Sequence, residues 1–317
     1  MLKKLSVAHY KSLADVTLVF DNANVIVGPN GSGKSNLIDC LNFVRDCCTE
    51  DLDSATTKRH GAESVRQWSK FKPYDVNIEM EFESSRGRGG YKLVLASAGG
   101  SFKVKEENGF WFDPPTEEDG EPIEGRKSQF FRTSGGKIEI YADLISERIN
   151  RTPTISPFDL FATQISGGLR SIFASAFRNL SNELTSLSTY SIYPNTIRQP
   201  QVVSREGLLS DDGSNLAAVL KKLNSGQKRS KDRMIEALQT VLPIVNDIIV
   251  RSAGGYYVPV MRVKEPSGDL HDFNMSQISD GTLRMLGLLA AFYQVGAPSK
   301  IALEEPEQMI HPGLLTV

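Results

Sequence analysis

One eight-residue run, Gly28-Pro29-Asn30-Gly31-Ser32-Gly33-Lys34-Ser35, constrains the fold of this chain more than any other feature. It matches the pattern G-x-x-x-x-G-K-[ST] in full. The preceding residues 24–27 are β-rich, and the following residues 35–48 carry apolar side chains at helical spacing. A strand, a glycine-rich loop and a helix in this order predict main-chain N–H groups that bind phosphate. The alternative is a glycine turn that only caps the helix, and the flanking strand and helix favour the phosphate site.

The residues of this loop have different expected roles. The glycines let the main chain turn its N–H groups inward, and the helix N-terminus adds partial positive charge. Lys34 is expected to reach the β- and γ-phosphates of ATP and to take part in catalysis, while the Ser35 hydroxyl ligates Mg²⁺. The expected nucleotide-binding residues of this segment are Asn30, Gly31, Ser32, Gly33, Lys34, Ser35 and Asn36.

A second candidate segment is an acidic turn near residue 305. A short apolar strand, 300–303, ends in Glu304-Glu305-Pro306-Glu307, which resembles a Walker B segment. Glu304 is expected to hold Mg²⁺, in part through water, and Glu305 to polarise the attacking water as a general base. The usual first residue is Asp, so Glu304 departs from the pattern. The alternative is a solvated acidic loop after a strand, which is less favoured beside a phosphate-binding loop.

A third segment, Ser279-Asp280-Gly281-Thr282, opens an apolar helix over 281–293. Ser279 or Asp280 is expected to cap this helix, and Gly281 permits a close approach of another group. The open question is whether the same helix N-terminus also receives a phosphate. Its position, about twenty residues before the acidic turn, favours that function.

Composition excludes several classes of protein. The chain has 317 residues with 40% hydrophobic content, 23% charged residues and a net charge of -2, so neither disorder nor a strongly basic DNA-coating protein is indicated. Cys40, Cys47 and Cys48 lack metal-ligand spacing and are expected to be buried helix cysteines in a reducing compartment. No secretion signal or apolar run of membrane-spanning length is visible, so we expect a soluble cytoplasmic protein without membrane contact.

The expected secondary structure mixes strands and helices without internal repeats or heptads. An antiparallel meander is predicted over 76–105 and a mobile surface loop over 113–136. The remaining predicted elements are strands at 5–10, 16–20, 190–194, 248–251 and 256–263, a mostly helical stretch at 156–187, and helices at 215–223 and 231–241.

The order of the three motifs resembles that of ABC-type ATPase heads, a group that includes ABC transporters, SMC proteins and RecF. The chain is more similar to the compact bacterial AAA-family ATPases grouped with RecF and with the ATPase half of OLD-family nucleases. The segments that carry this resemblance are Asn36–Asp39, Asp212–Leu220, Ser279–Arg284 and Glu304–Pro312. The implied fold is an α/β P-loop NTPase core of the ABC-ATPase-head type with an antiparallel β subdomain and a helical lobe. Its expected parts are 1–145 (P-loop and antiparallel β), 146–245 (helical lobe) and 246–317 (signature and Walker B).

The resemblance also implies how the site is assembled. Each ATP is expected to lie between the P-loop of one subunit and Ser279 and Gly281 of a second copy, so ATP binding would bring a homodimer together. Asp280 stands where transporters have glycine, so a transporter-like geometry is not assumed. Gln164 is expected to contact Mg²⁺ and the attacking water, with an ordinary surface glutamine as the alternative.

The later strand and switch histidine of the family pattern do not follow the acidic turn, and His311 is not read as that histidine. We therefore expect a fragment or a shortened chain that retains ATP binding and loses ATP hydrolysis. The leading hypothesis is an ATP-hydrolysing, dimerising switch in DNA repair or anti-phage defence, with an effector protein; that role rests on analogy of fold. The alternative is an ATP-binding regulatory module with little hydrolysis.

A GTPase is disfavoured because no Asn-Lys-x-Asp motif is present. Lysines and arginines within 221–233 form a candidate DNA-binding face or a solvated helix face.

Overall fold

The computed structural model describes residues 1–118, 121–123, 125, 127–133, 138–142, 159–166, 177–203, 207–226 and 228–308. The chain forms two compact units, Met1–Leu187 and Ser188–Val317. The expected three-part division stays a prediction. Residues 146–245, expected as one helical lobe, contribute helices to both units.

The first unit is built on an antiparallel sheet whose strands alternate buried and exposed side chains. Its seven strands lie in the order β2-β1-β3-β4-β5-β8-β9, and β6 pairs with β7 in a separate hairpin. The strands are β1 (Leu2–Tyr10), β2 (Leu13–Val19), β3 (Val76–Ser84), β4 (Gly87–Ala98), β5 (Ser101–Phe112), β6 (Thr116–Glu118), β7 (Glu121–Ile123), β8 (Lys127–Thr133) and β9 (Ile138–Ala142). The antiparallel part of the expected fold is thereby confirmed.

Five described helices belong to the same unit: α1 (Lys34–Thr49), α2 (Leu52–Thr57), α3 (Ala62–Val65), α4 (Phe161–Ser166) and α5 (Arg178–Thr185). One face of α1 enters the core shared with β1, β3 and β4. Period-3.6 spacing of its apolar residues produces this face. The three cysteines lie on it and are fully buried, as predicted. Burial raises the pKa of each of these thiols.

The second unit contains a pair of strands and a small sheet, both covered by helices. Strand β10 (Leu187–Tyr190) pairs with β15 (Lys300–Leu303), and β13 (Tyr256–Lys264) pairs with β11 (Gln201–Val202), β12 (Val245–Ala253) and β14 (Leu270–Asn274). Its helices are α6 (Pro194–Arg198), α7 (Leu216–Gly226), α8 (Lys228–Val241), the short 3₁₀ turn Met275–Gln277 and α9 (Asp280–Tyr293). A single hydrophobic core joins α7, α8 and α9 to β12 and β13.

Three expectations about local structure are wrong. Residues 24–27 form no strand, because no described strand of the first unit pairs with them, and Val25 and Val27 are 88% and 84% exposed. The range 113–136, expected as a loop, contains β6, β7 and β8. The strand expected at 190–194 ends at Tyr190, since Pro194 opens α6 at a position where a helix needs no N–H donor.

Candidate nucleotide site

The P-loop has the conformation that phosphate binding requires. Gly31 and Gly33 have φ of 81° and 96°, a region that favours glycine. At Gly33 a Cβ would also lie 3.0 Å from the Ser12 hydroxyl. Helix α1 begins at Lys34 with Gly33 as its N-cap, and no side chain caps it. Its first N–H groups are thus left for a ligand, which is what an anion site at a helix start needs.

Side chains around the loop extend this arrangement. The Lys34 ammonium donates to the carbonyls of Gly28 at 2.7 Å and Pro29 at 2.9 Å, which closes the loop on itself. The Asn36 amide donates to the Ser12 hydroxyl at 2.7 Å. Ser35 lies in the first turn of α1 and is exposed, so its hydroxyl is accessible to a ligand. An accessible hard oxygen at this place fits a Mg²⁺ ligand.

The turn between β1 and β2 is tied to α1 by charged groups centred on Asp39, the last residue of the Asn36–Asp39 segment. Asp39 accepts from the Tyr10 hydroxyl at 2.7 Å, the Lys11 ammonium at 2.6 Å and Arg59 Nε at 2.9 Å. Burial alone would raise the pKa of Asp39, but the hydrogen bonds from Lys11 and Tyr10 and the charge of Arg59 outweigh it and lower that pKa. This network fixes the hairpin tip, and with it Ser12, beside the P-loop.

Helix α4 carries Gln164, whose side chain lies outside the described residues. The helix itself is held firmly. Glu107, fully buried on β5, accepts from the N–H groups of Phe161 at 2.8 Å and Ala162 at 2.9 Å. Thr163 donates to the Cys47 carbonyl at the end of α1 at 2.7 Å. The backbone of α4 is thereby fixed to the helix that follows the P-loop.

In the second unit, the start of α9 is capped as predicted. The Ser279 hydroxyl accepts from the Thr282 N–H at 3.3 Å, and Ser279 is exposed. Asp280, the departure from the transporter pattern, pairs with Arg198 at 2.6 Å. Arg198 also donates to the Ile278 carbonyl at 2.7 Å, so one arginine holds both sides of the helix start.

The acidic turn follows β15 in the same unit. The Glu304 N–H donates to the Tyr190 carbonyl at 3.0 Å, and Glu305 has a φ of 47°. This left-handed conformation costs a residue with a side chain about 1–2 kcal/mol. The Gln308 amide donates to the Glu305 carboxylate. Arg284 of α9 donates to the main-chain carbonyls of Glu304 at 3.3 Å and Glu305 at 2.6 Å, which joins the helix to the turn.

The structure thus groups the candidate residues in two sets. Asn30 to Asn36 and the backbone of α4 lie in the first unit, and Ser279, Gly281, Glu304 and Glu305 lie in the second. His311 lies outside the described residues. The sequence missed Ser12, Glu107, Arg198 and Arg284. Arg284 alone gave a signal, as a charge inside an apolar helix.

The described residues contain no group of three or more His, Cys, Asp or Glu side chains arranged to hold a metal ion. They also contain no helix with the length and apolar character needed to cross a membrane.

Comparison with known proteins gives partial matches to two kinds of protein, Smc and RecF. The chromosome partition protein Smc of Rhodopirellula baltica is 52% identical over 46 residues, which cover 14% of this chain and 4% of that protein. The DNA replication and repair protein RecF of Streptococcus agalactiae is 27% identical over 104 residues, covering 32% of this chain and 26% of that protein. The chain therefore spans about a quarter or less of the curated relatives it matches.

Among solved structures, the SMC head domain from Thermotoga maritima aligns with 98% of this chain and 79% of that chain, at 16% identity and a TM-score of 0.41. A family model also matches most of the chain. Residues 23–316 match the family described as "AAA domain, putative AbiEii toxin, Type IV TA system". This range contains the P-loop, the helix start at Ser279 and the acidic turn. The chain belongs to this AAA-domain family of P-loop ATPases, a membership that implies ATP binding.

Proposed function

We propose that this chain is an ATP-dependent switch that binds ATP with Mg²⁺, dimerises on it and hydrolyses it slowly. One observation supports this most directly: the P-loop combines two glycines in the left-handed region with an uncapped helix start. A polyphosphate supplies the acceptors that these N–H groups lack. Family membership supports ATP as the nucleotide.

Different residues would bind different parts of the Mg²⁺–ATP complex. The Lys34 ammonium now bonded to loop carbonyls would move to the β- and γ-phosphate oxygens. Ser35, with its accessible hydroxyl, would hold Mg²⁺ together with Glu304 and Gln164. The cation would neutralise charge on the phosphates. Anchoring of α4 by Glu107 supports the role proposed for Gln164, because a metal-sensing side chain needs a fixed backbone.

Glu305 is the proposed general base for the attacking water. A second copy of the chain would complete the site, with Ser279 and Gly281 at the γ-phosphate. The exposed helix start at Ser279 supports this: Ser279 caps only the Thr282 N–H, and the N-terminus of a helix suits a phosphate.

A second candidate is an ATP-binding regulatory module with little hydrolysis. It is favoured by the hydrogen bond from Gln308 to the Glu305 carboxylate, which engages the group that would have to accept a proton from water. In this reading ATP still brings two copies together, but turnover adds little.

Three variants separate these functions. Lys34→Met should abolish ATP binding, measured with a fluorescent ATP analogue. Glu305→Gln should keep ATP affinity, lower turnover by about 10²–10⁴-fold and retain an ATP-dependent dimer seen by light scattering. Glu307→Gln is the matched control, because this exposed neighbour in the same turn has no proposed role. Tight binding with the same low turnover in wild type and Glu305→Gln would select the regulatory module and reject the enzyme.

For the biological role we propose DNA repair or anti-phage defence with an effector protein, by analogy with the family. Direct DNA binding by the 221–233 segment has weak support. Lys231 is paired with Asp247 at 2.7 Å, and Asp232 and Glu236 lie beside it. DNA affinity that falls steeply with salt would support DNA as a partner. Affinity that does not change with salt would reject this use of the segment.

A further inference from the structure

Arg284 is a buried cation in the middle of an apolar helix. Its side chain is 1% exposed, and its Nε has no hydrogen-bond partner among the described residues. The other guanidinium nitrogens donate to main-chain carbonyls: Nη1 to Ile192 at 2.9 Å, and Nη2 to Glu304 and Glu305. Placing an arginine here is expensive, because burial removes its hydration and one donor stays unsatisfied. A leucine at the same helix position would be buried at a lower free-energy cost. The presence of an arginine therefore suggests a function beyond packing.

The backbone conformation of Glu305, whose carbonyl Arg284 binds, indicates that function. This residue has a φ of 47°, a conformation that a glutamate does not adopt without support. Its carbonyl accepts a 2.6 Å hydrogen bond from Arg284 and a 3.1 Å hydrogen bond from the Gln308 N–H. Two donors on this carbonyl fix the peptide plane after Glu305. The plane and the φ together decide in which direction the Glu305 side chain leaves the turn.

The other end of the connection is the N-terminus of α9. Arg284 lies five residues after Ser279, which is about 7.5 Å along a helix. The helix is also packed tightly against the loop before α6, since a Cβ at Gly287 would lie 2.6 Å from Cγ2 of Ile192. Ile192 is also the residue whose carbonyl accepts a hydrogen bond from Arg284. A displacement of the helix start would therefore reach the guanidinium and, through it, the acidic turn.

We propose that Arg284 is a positioning residue that couples the start of α9 to the backbone of Glu305. The inference rests on the proposed function, in which a phosphate meets Ser279 and Glu305 is the base. A γ-phosphate held by a second copy of the chain would then reset the acidic turn of this copy. Contact of Ser279 with the ATP bound by the second copy would thereby change the position of Glu305, the general base for the ATP bound by its own copy.

The test uses the whole 317-residue chain with Arg284→Lys and Arg284→Met. Lysine keeps a charge but cannot span the Ile192 carbonyl and the acidic turn with a planar fork, whereas methionine removes all donors. Both variants should speed hydrogen–deuterium exchange of residues 304–308. Turnover should fall about 100-fold, the cost of a small misplacement of a reacting group, while ATP affinity stays within about twofold. A loss in kcat without a change in KM marks positioning.

Leu286→Ala is the control, since Leu286 is buried on the same helix and is not bonded to the turn. It should lower the melting temperature with little change in exchange at 304–308. Unchanged exchange in both Arg284 variants, or equal acceleration in Leu286→Ala, would overturn the proposal. If wild type shows no turnover, the hydrolytic part of the proposed function fails, and the exchange measurement still decides the role of Arg284.

Discussion

The buried carboxylate of Glu107 gives the sharpest prediction about the first unit. It is fully buried, and it accepts hydrogen bonds from the N–H groups of Phe161 and Ala162 and from the Tyr91 hydroxyl at 3.1 Å. In Glu107→Gln the side chain keeps its size, but its NH₂ group must face a donor. One N–H of α4 then loses its acceptor, at a cost of about 1–3 kcal/mol.

The remaining hydrogen bonds lose the assistance of the negative charge, which about halves their strength. Together these changes should lower the free energy of unfolding by about 3 kcal/mol. For a unit of this size, that corresponds to a drop of roughly 6–12 °C in the unfolding midpoint. Thermal unfolding followed by circular dichroism measures the drop, and amide exchange at 161–163 locates it in α4.

Glu106→Gln is the matched control, because Glu106 is the neighbouring residue and is half-exposed, with Lys92 at 2.9 Å. A surface pair of this kind is worth about 0–1 kcal/mol. If Glu107→Gln destabilised the protein no more than Glu106→Gln does, or left exchange in α4 unchanged, Glu107 would not be the anchor of α4. If the anchor holds Gln164 in place, Glu107→Gln should also reduce ATP turnover.

Three further predictions concern stability and reactivity. Because the folded pKa of Asp39 is lowered, its carboxylate stabilises the fold above its ordinary pKa of 3.8, and this contribution is lost as the pH falls through the lowered folded pKa. Asp39→Asn should therefore destabilise the protein at neutral pH, and the difference from wild type in urea unfolding should shrink as the solution is made more acidic than pH 3.8. The three cysteine thiols are buried and have raised pKa values, so a thiol reagent should label them only after denaturation, and labelling of the native protein would contradict their burial. Gly287→Ala should cost about 1–3 kcal/mol through overpacking against Ile192, and an unchanged melting temperature would show that the loop can yield.

The sequence predicted the elements that local patterns determine. The P-loop, α1, the meander, α9 with its Ser279 cap and β15 all follow from spacing and capping residues. Segment 24–27 shows the limit of such patterns, because its β-rich composition predicts a strand, whereas a strand also needs a neighbour to pair with. Pro194 shows a second limit, because a proline is compatible with a strand end and with a helix start, and here it begins a helix.

Residues that act through distant contacts were not predictable in this way. Glu107 meets the N–H groups of α4 more than fifty residues along the chain, and nothing in the intervening sequence indicates the pairing. Arg284 was visible as a charge in an apolar helix, but its acceptors are main-chain carbonyls, which carry no sequence signal. Only the folded backbone brings these groups together.

The unpaired segment before the P-loop has a thermodynamic consequence for nucleotide affinity. Residues 25–27 expose apolar side chains, belong to none of the described strands and lead directly into the loop that precedes α1. Any ordering of residues 25–27 on ATP binding would reduce the net free energy of that binding. Any strand that pairs with 25–27 would remove that cost and tighten ATP binding. By linkage, ATP would strengthen the pairing by the same factor. The dissociation constant for ATP would then report on whether this part of the protein is covered.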